Sequence, residues 1–268
     1  MKLPRPYSAG IDPAVIDHIR SAQNWSQYFP SIRDGNTGVG MTFENLCGLP
    51  ENNWRCPDLY GAELKAKRLD SDSLLTLMTK NPPRAVRKMT MEFGTDHFDE
   101  AGDLERRRFY YTVRNKTSAL FRLEQTDESL NLITDDRVVA QWTAATLARA
   151  LNKLTNLCLI DAKTKLVKIK DIDTKTKTEL VKSKDIDAKT KTELVKSKEY
   201  FQYTGFVYYH GFDQQKFIDM LIDGEAFIDF RAHYSYEKNK MRDHGTAFRI
   251  QPEKLTELYD GSIRVELI

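Results

Sequence analysis

The apolar positions of this chain fall into two spacings. In IDPAVIDHIRSAQ, residues 11–23, Val15, Ile16 and Ile19 recur at the interval of one helical face, with Asp12 as N-cap and Pro13 at the first helical position. MTFENLCG, residues 41–48, reads as a short helix that carries Glu44 and closes at Gly48, after a loop over SIRDGNTGVG. DQQKFIDMLIDG repeats the helical spacing between an N-cap at Asp213 and a stop at Gly224, and QPEKLTELYDG is a short helix starting at Pro252. The longest helical expectation covers residues 135–152, DDRVVAQWTAATLARALN, where Val138, Val139, Trp142, Ala145 and Leu147 form an apolar stripe. Alternation, the signature of strands, governs RRRFYYTVRN, SALFRLEQT and EYFQYTGFVYYHGF, and also the two segments that flank a polar loop in EAFIDFRAHYSYEKNKMRDHGTAFRI. SLLTLMTK fits a buried strand or a helix turn, and NPPR stops it. The mix predicts an α+β fold with a mixed sheet flanked by helices.

One stretch combines strand pattern with reactive side chains. In ENNWRCPDLYGAELKAKR, residues 51–68, two short strands are expected around Tyr60 and Gly61, with Asp58 on the first and Glu63, Leu64 and Lys65 on the second. Residues two apart on a strand share a face, so Glu63 and Lys65 point together while the Leu64 side chain points to the core and its carbonyl stays available. Hydrolysis of a phosphodiester with Mg²⁺ needs hard oxygen ligands, a cation for the charge that develops on the phosphoryl group, and a group to orient water. Asp58 and Glu63 supply the first, Lys65 the others. The same three residues also suit a solvated hairpin face, since charged residues make up 30% of the chain.

Composition narrows the picture only locally. The 41 basic and 39 acidic residues leave a formal net charge of +2, so a nucleic-acid surface has to be a patch. The densest basic segment is 161–198, where Asp173 and Asp187 open two copies of a 14-residue unit that contains KTKTELVKSK; the segment holds twelve lysines against seven acids. The unit lacks the apolar face of a solenoid repeat, and its alternation suggests a β-hairpin lengthened by duplication, either an arm along phosphates or a solvated projection. No run of about 18 apolar residues occurs, and MKLPRPYSAG lacks the apolar core of a secretory signal, so a soluble cytoplasmic protein is expected. Cys47, Cys56 and Cys158 are scattered and read as reduced thiols.

TGVGMTFENLCGLPENNWRCPDLYGAELKAKR, then SLLTLMTK, then DHGTAFRI at 243–250, occur in the order that resembles the MvaI/BcnI-type restriction endonucleases, relatives of the mismatch-repair nickase MutH in the PD-(D/E)xK superfamily. The resemblance implies a restriction-endonuclease-like core whose catalytic and recognition lobes form a DNA cleft. It makes Asp58 and Glu63, with the Leu64 carbonyl, ligands of Mg²⁺, makes Lys65 the catalytic lysine, and places Glu44 beside the metal. Lys67, Arg68 and Lys80 become phosphate contacts. Base reading falls to the C-terminal block, with Arg231, Arg242, Asp243, His244 and Arg249 as its side chains, because Arg, Lys, Asn and His read the major-groove edge.

The implied segmentation is an N-terminal helical part over 1–36, a catalytic region over 37–160, the lysine-rich hairpin insertion over 161–198 and a recognition region over 199–268. The implied enzyme is a monomeric type II nuclease that nicks each strand of a short double-stranded CC-N-GG-like site in turn, with a cognate methyltransferase in a bacterial or archaeal host. A repair-directed nickase and an inactive sequence-specific DNA-binding protein stand as alternatives. The tandem repeat is not a hallmark of these enzymes.

Overall fold

The computed structural model describes residues 1–3, 10–50, 56–168 and 197–268. Contacts divide the chain into two compact units, one made of residues 9–72, 156–210 and 262–268, the other of 1–8, 73–155 and 211–261. The chain enters each unit more than once, an organisation that periodicity along the sequence does not encode.

The first unit is built on a mixed sheet. Its strands are β1 (Phe29–Pro30), β2 (Ala62–Arg68), β9 (Asn156–Lys168), β10 (Ser197–His210) and β14 (Gly261–Glu266), in the order β1-β10-β9-β2 with β14 also on β10. β2 runs parallel to β9, while β10 pairs antiparallel with β9 and β1. Among the described residues two helices accompany it. In α1 (Pro13–Ala22) the Asp12 carboxylate accepts from the Ala14 N–H, and Val15 and Ile19 are buried as their spacing requires. α2 (Gly38–Leu46) packs on β2 and starts inside the segment expected to be loop. Gly38 explains that early start, because a Cβ there would lie 2.3 Å from the Arg33 carbonyl, so only glycine lets the helix begin against this turn. Trp25 stacks on Phe43 and Tyr203 packs edge-on against both in the core, which also holds Leu64, Cys158 and Ile160.

The second unit contains two antiparallel sheets. One runs β3 (Leu75–Thr79), β13 (Ala247–Ile250), β11 (Ala226–Ser235), β5 (Leu104–Val113) and β4 (Thr95–Phe98), with β12 (Lys240–Asp243) also on β11. SLLTLMTK is therefore a strand, with Leu75, Leu77 and Met78 buried, and the polar loop expected after β11 contains a strand of its own. α3 (Ala85–Phe93) packs on β5 and β11, and Phe109, Phe121, Phe230, Trp142 and Phe248 form its aromatic core. α5 (Gln214–Asp223) is capped by Asp213 and stopped by Gly224 in the left-handed conformation. The short α6 (Leu255–Leu258) follows a 3₁₀ turn begun by Pro252.

The second sheet, β6 (Arg122–Gln125), β7 (Ser129–Thr134) and β8 (Arg137–Thr143), corrects the expectation of one helix over 135–152. Asp135 and Asp136 both take positive φ, the backbone of a two-residue hairpin turn, and β8 returns from it before α4 (Ala144–Leu151) begins. Ala140 and Trp142 are buried while Gln141 and Thr143 are exposed, a period of two, and a register shift that skips Val139 turns Val138 outward, to 53% exposure. Positions 138 and 142 are four apart, which satisfies helical and strand spacing alike. The β-branched pair Val138–Val139 and the Thr143 hydroxyl, which accepts from the Thr146 N–H at 3.3 Å, decide where strand gives way to helix.

Candidate active site and a basic sheet face

The reactive stretch does not form two full strands. Asp58 lies on a bend, and a single antiparallel bridge between Leu59 and Ala62 closes the turn before β2. Tyr60 and Gly61 both have positive φ, 44° and 82°, which is the backbone of the tightest hairpin turn. That turn folds Asp58 back along the edge of β2, where its Oδ2 accepts the Leu64 N–H at 2.9 Å. The consequence is specific to an edge strand. A strand residue sends its N–H and C=O to the same side, so the Leu64 carbonyl also leaves β2 on the side where Asp58 sits, away from β9.

Glu63 and Lys65 share the opposite sense of the pleat, and the Lys65 Nζ donates to Glu63 Oε1 at 2.6 Å. Glu63 is only 2% exposed, so its charge is held by a neighbouring cation rather than by bulk water. The donors gathered here, two carboxylates and a backbone carbonyl, are hard oxygens, and they fit a small divalent cation that takes one or two carboxylates and retains water. Among the described residues no group of three or more His, Cys, Asp and Glu side chains converges on one point. Glu44 is half-buried on α2, and its charge adds to burial in pushing the Cys47 thiol up to about 12.

Lys67 and Arg68 are drawn into ion pairs on opposite faces of β2. Lys67 lies 3.6 Å from Asp161 of β9, which Arg264 also contacts. Arg68 donates to Glu199 at 2.9 Å and to the Gly35 carbonyl at 3.1 Å, with its guanidinium over the Phe201 ring.

In the other unit, register gathers a basic face that no single motif contains. Arg231 pairs with Tyr110, His233 with Arg108 and Arg242, and Ser235 with Arg106 and Lys240. Directly paired residues share a face, so Arg106, Arg108, Arg231, Lys240 and Arg242 line up around His233 on the side opposite Phe109 and Phe230. Tyr110 is 56% exposed there. A cleft of about 520 Å³ opens among Arg106, His233, Lys238, Lys240 and Arg242. Sequence reading found Arg231 and Arg242 but passed over Arg106 and Arg108. The available signal was the RRR run on an alternating strand, whose first and third arginines share a face while Arg107 turns away to Asp96, 2.9 Å from both carboxylate oxygens.

The rest of the expected recognition set sits differently. His244 is exposed, its N–H donates to the Arg231 carbonyl at 2.9 Å, and its ring lies 5.9 Å from that of His233. Asp243 spends both oxygens inside the protein, accepting from the Gly245 N–H at 2.7 Å and from Asn81 at 2.8 Å. It thus braces a turn in which Gly245, at φ 85°, approaches Thr79 too closely for any Cβ. Arg249 is not an outward contact either: it donates to Asp229 at 2.6 Å and to the Leu74 carbonyl at 2.9 Å, and Thr112 donates to the other Asp229 oxygen. Lys80 is half-buried just after β3, and its backbone serves Trp142 and Thr246.

These features belong to a known class of fold. Over 97% of this chain and all of the other, the structure is similar to the restriction endonuclease MvaI in a complex with cognate DNA substrate, with a TM-score of 0.68 and 24% identity, which establishes a shared fold. The structure of MvaI in the absence of DNA matches over 94% of this chain and 97% of that one, with a TM-score of 0.48 and 21% identity. No curated protein matches. The family model for the MvaI/BcnI restriction endonucleases matches residues 16–259, and the chain belongs to this family of type II site-specific nucleases.

Proposed function

We propose that Asp58, Glu63 and Lys65 form the catalytic centre of a Mg²⁺-dependent PD-(D/E)xK nuclease that hydrolyses both strands of a short double-stranded DNA site. The observation that carries this reading is the edge of β2, where Asp58 is bound to the Leu64 N–H while Glu63 and Lys65 pair at 2.6 Å. Asp58, Glu63 and the Leu64 carbonyl would hold Mg²⁺, which when bound supplies a Lewis acid for the scissile phosphate and lowers the pKa of a bound water. The chain's own groups do the rest. The turn at Tyr60–Gly61 fixes Asp58 against the strand, so the carboxylate is already oriented before substrate arrives. Lys65 donates hydrogen bonds to a non-bridging phosphate oxygen and orients the attacking water; the bond to the 3′ oxygen breaks and the phosphate stays on the 5′ end. Glu44 assists from α2.

The basic face around His233 is the reading surface, with Arg231, Arg242 and His244 at base edges and Arg106 and Arg108 beside them. Asp243 and Arg249 act on it indirectly by holding the turn and the sheet. Lys67, Arg68 and Lys80 contact phosphates, the first two by exchanging their carboxylate partners for the DNA backbone. The site is a five-base-pair CC-N-GG-like sequence nicked one strand at a time by a monomer, in a host whose methyltransferase protects the same sequence.

Incubation of the protein with Mg²⁺ and mixed-sequence duplex DNA, followed by sequencing of the ends, tests the reading. Discrete ends sharing one sequence are expected from the wild type and none from Asp58→Ala or Lys65→Ala. Cleavage that persists in both variants, or wild-type binding without cutting, would overturn it.

A further inference from the structure

The lysine-rich segment is the one strong sequence feature that the proposed chemistry leaves unused, and its base is part of the catalytic sheet. β9 continues past the last residue of β2 and stays paired with β10, which β1 flanks at Tyr200 and Phe201, with Lys163 opposite Gln202, Lys165 opposite Tyr200 and Val167 opposite Lys198. Lys67 stands opposite Asp161, and Lys65 opposite Leu159, on the strand that carries Glu63. Paired residues share a face and alternate residues along β9 return to it, so Lys65, Lys67, Lys163, Lys165 and Lys198 form one file. From the level of Lys65 to Lys165 the file spans six residues of β9, about 20 Å at roughly 3.3 Å per residue. A duplex presents about 12 phosphate charges over that length.

Charge along the file is not balanced evenly. At its inner end Asp161 is engaged by Lys67 and Arg264, and Glu266 is held by Arg264 at 2.8 Å. Glu199 lies on the opposite face, bound to Arg68. Further out, Lys163 and Lys165 are exposed, and among the described residues neither they nor Lys198 have an ion-pair partner. Lys165 sits over the Tyr28 ring, 5.7 Å from its centroid, and Tyr200 lies beside it. Among the described residues the outer cations of the file have aromatic neighbours and no acid partner, an arrangement complementary to a polyanion.

We propose that this face of β9 and β10 is a DNA-backbone contact surface, in which Lys163, Lys165 and Lys198 hold phosphates of the duplex that flanks the cleavage site. The inference rests on the nuclease reading of β2, because the file is the outward continuation of the face that bears Lys65. It adds a part of the footprint that carries affinity and no sequence information, since lysine meets phosphate as a point charge.

The test is equilibrium binding to a long mixed-sequence duplex without divalent metal, over a series of salt concentrations, for the full-length wild type, K163Q/K165Q/K198Q and K163R/K165R/K198R. Each phosphate contact contributes about 0.9 to the slope of log K against log salt. The glutamine variant should be shallower by about 2 to 3, and the arginine variant should recover the wild-type slope. Equal slopes for wild type and glutamine variant would overturn the proposal, as would a loss that arginine fails to restore. A wild type that binds with the steep slope yet cuts nothing would sink the nuclease reading and leave this surface standing. Specific cutting with equal slopes would do the reverse.

Discussion

The two candidate sites are built from opposite economies of charge and of sequence distance. On β2 the acids and the lysine lie within eight consecutive residues and engage close partners: Asp58 holds a backbone N–H and Glu63 holds Lys65. On the sheet around His233 the cations come from β5 and, more than a hundred residues further on, from β11 and β12, and among the described residues Arg106 alone of them is ion-paired, to Glu105. A cluster whose groups have close partners can be partly buried; an unpaired excess of one sign stays near water until a polyanion covers it. On the proposed reading, the comparison separates a place where phosphate is attacked from a place where DNA is held and read.

The largest expected effect breaks the first half of that contrast. Asp58→Ala removes the carboxylate at the β2 edge and should lower the cleavage rate by on the order of 10² to 10³-fold or more, with DNA affinity in metal-free buffer little changed. Single-turnover cleavage beside a binding isotherm separates the two, and a variant that loses binding but cuts its bound fraction normally would move Asp58 out of the catalytic centre. Next comes Asp229→Ala, which strips Arg249 of its partner inside the second unit. Asp229 is 6% exposed, and breaking such a pair should cost about 3 kcal/mol, read as a lower denaturation midpoint. If stability held and only sequence preference relaxed, Arg249 would be a reader after all. Arg242→Ala is smaller: loss of about 1 to 3 kcal/mol of discrimination at one base position, with the fold intact, scored by sequencing the cut ends. Uniform weakening across all sequences would instead make Arg242 a phosphate contact.

Why one site was legible in the sequence and the other only half so follows from the same difference. Asp58, Glu63 and Lys65 are brought together by a turn and a pleat, both local rules that Tyr60–Gly61 and a period of two make visible. Arg106 and Arg108 reach His233 only through the register of β5 on β11, and no local rule fixes register across so many intervening residues. The same limit explains the misread segment at 135–152, where spacing of four satisfied both periods and the turn at Asp135–Asp136 was the deciding fact. It explains Arg249 as well, because an arginine in DHGTAFRI shows its charge in the sequence but not the Asp229 waiting on the next strand. Residues 169–196, which hold most of the repeat, lie outside the described structure; the strands on either side of them, β9 and β10, pair antiparallel.

The smallest effect probes the excess of positive charge directly. The titration of His233 is pushed below the ordinary histidine value, first by burial and then by His244, Arg106, Arg242 and Arg108 around it. Its folded pKa is therefore depressed. The unfolded chain takes up the proton first as pH falls through about 6.5, so whatever stability the neutral ring supports is intact above that pH and is lost as pH drops further toward the folded value. Arg108→Ala or Arg242→Ala removes one of the repelling charges while leaving the burial in place, and should move the His233 titration part of the way back up, as followed by its ring proton resonances. Raised salt should act in the same direction on the wild type, because it screens the charges but not the desolvation. If neither treatment moved the titration, burial alone would account for the shift, and the cations would be too well solvated to act as one field. An upward shift from both would show that the sheet face holds a standing positive potential, the property that sets it apart from the cluster on β2.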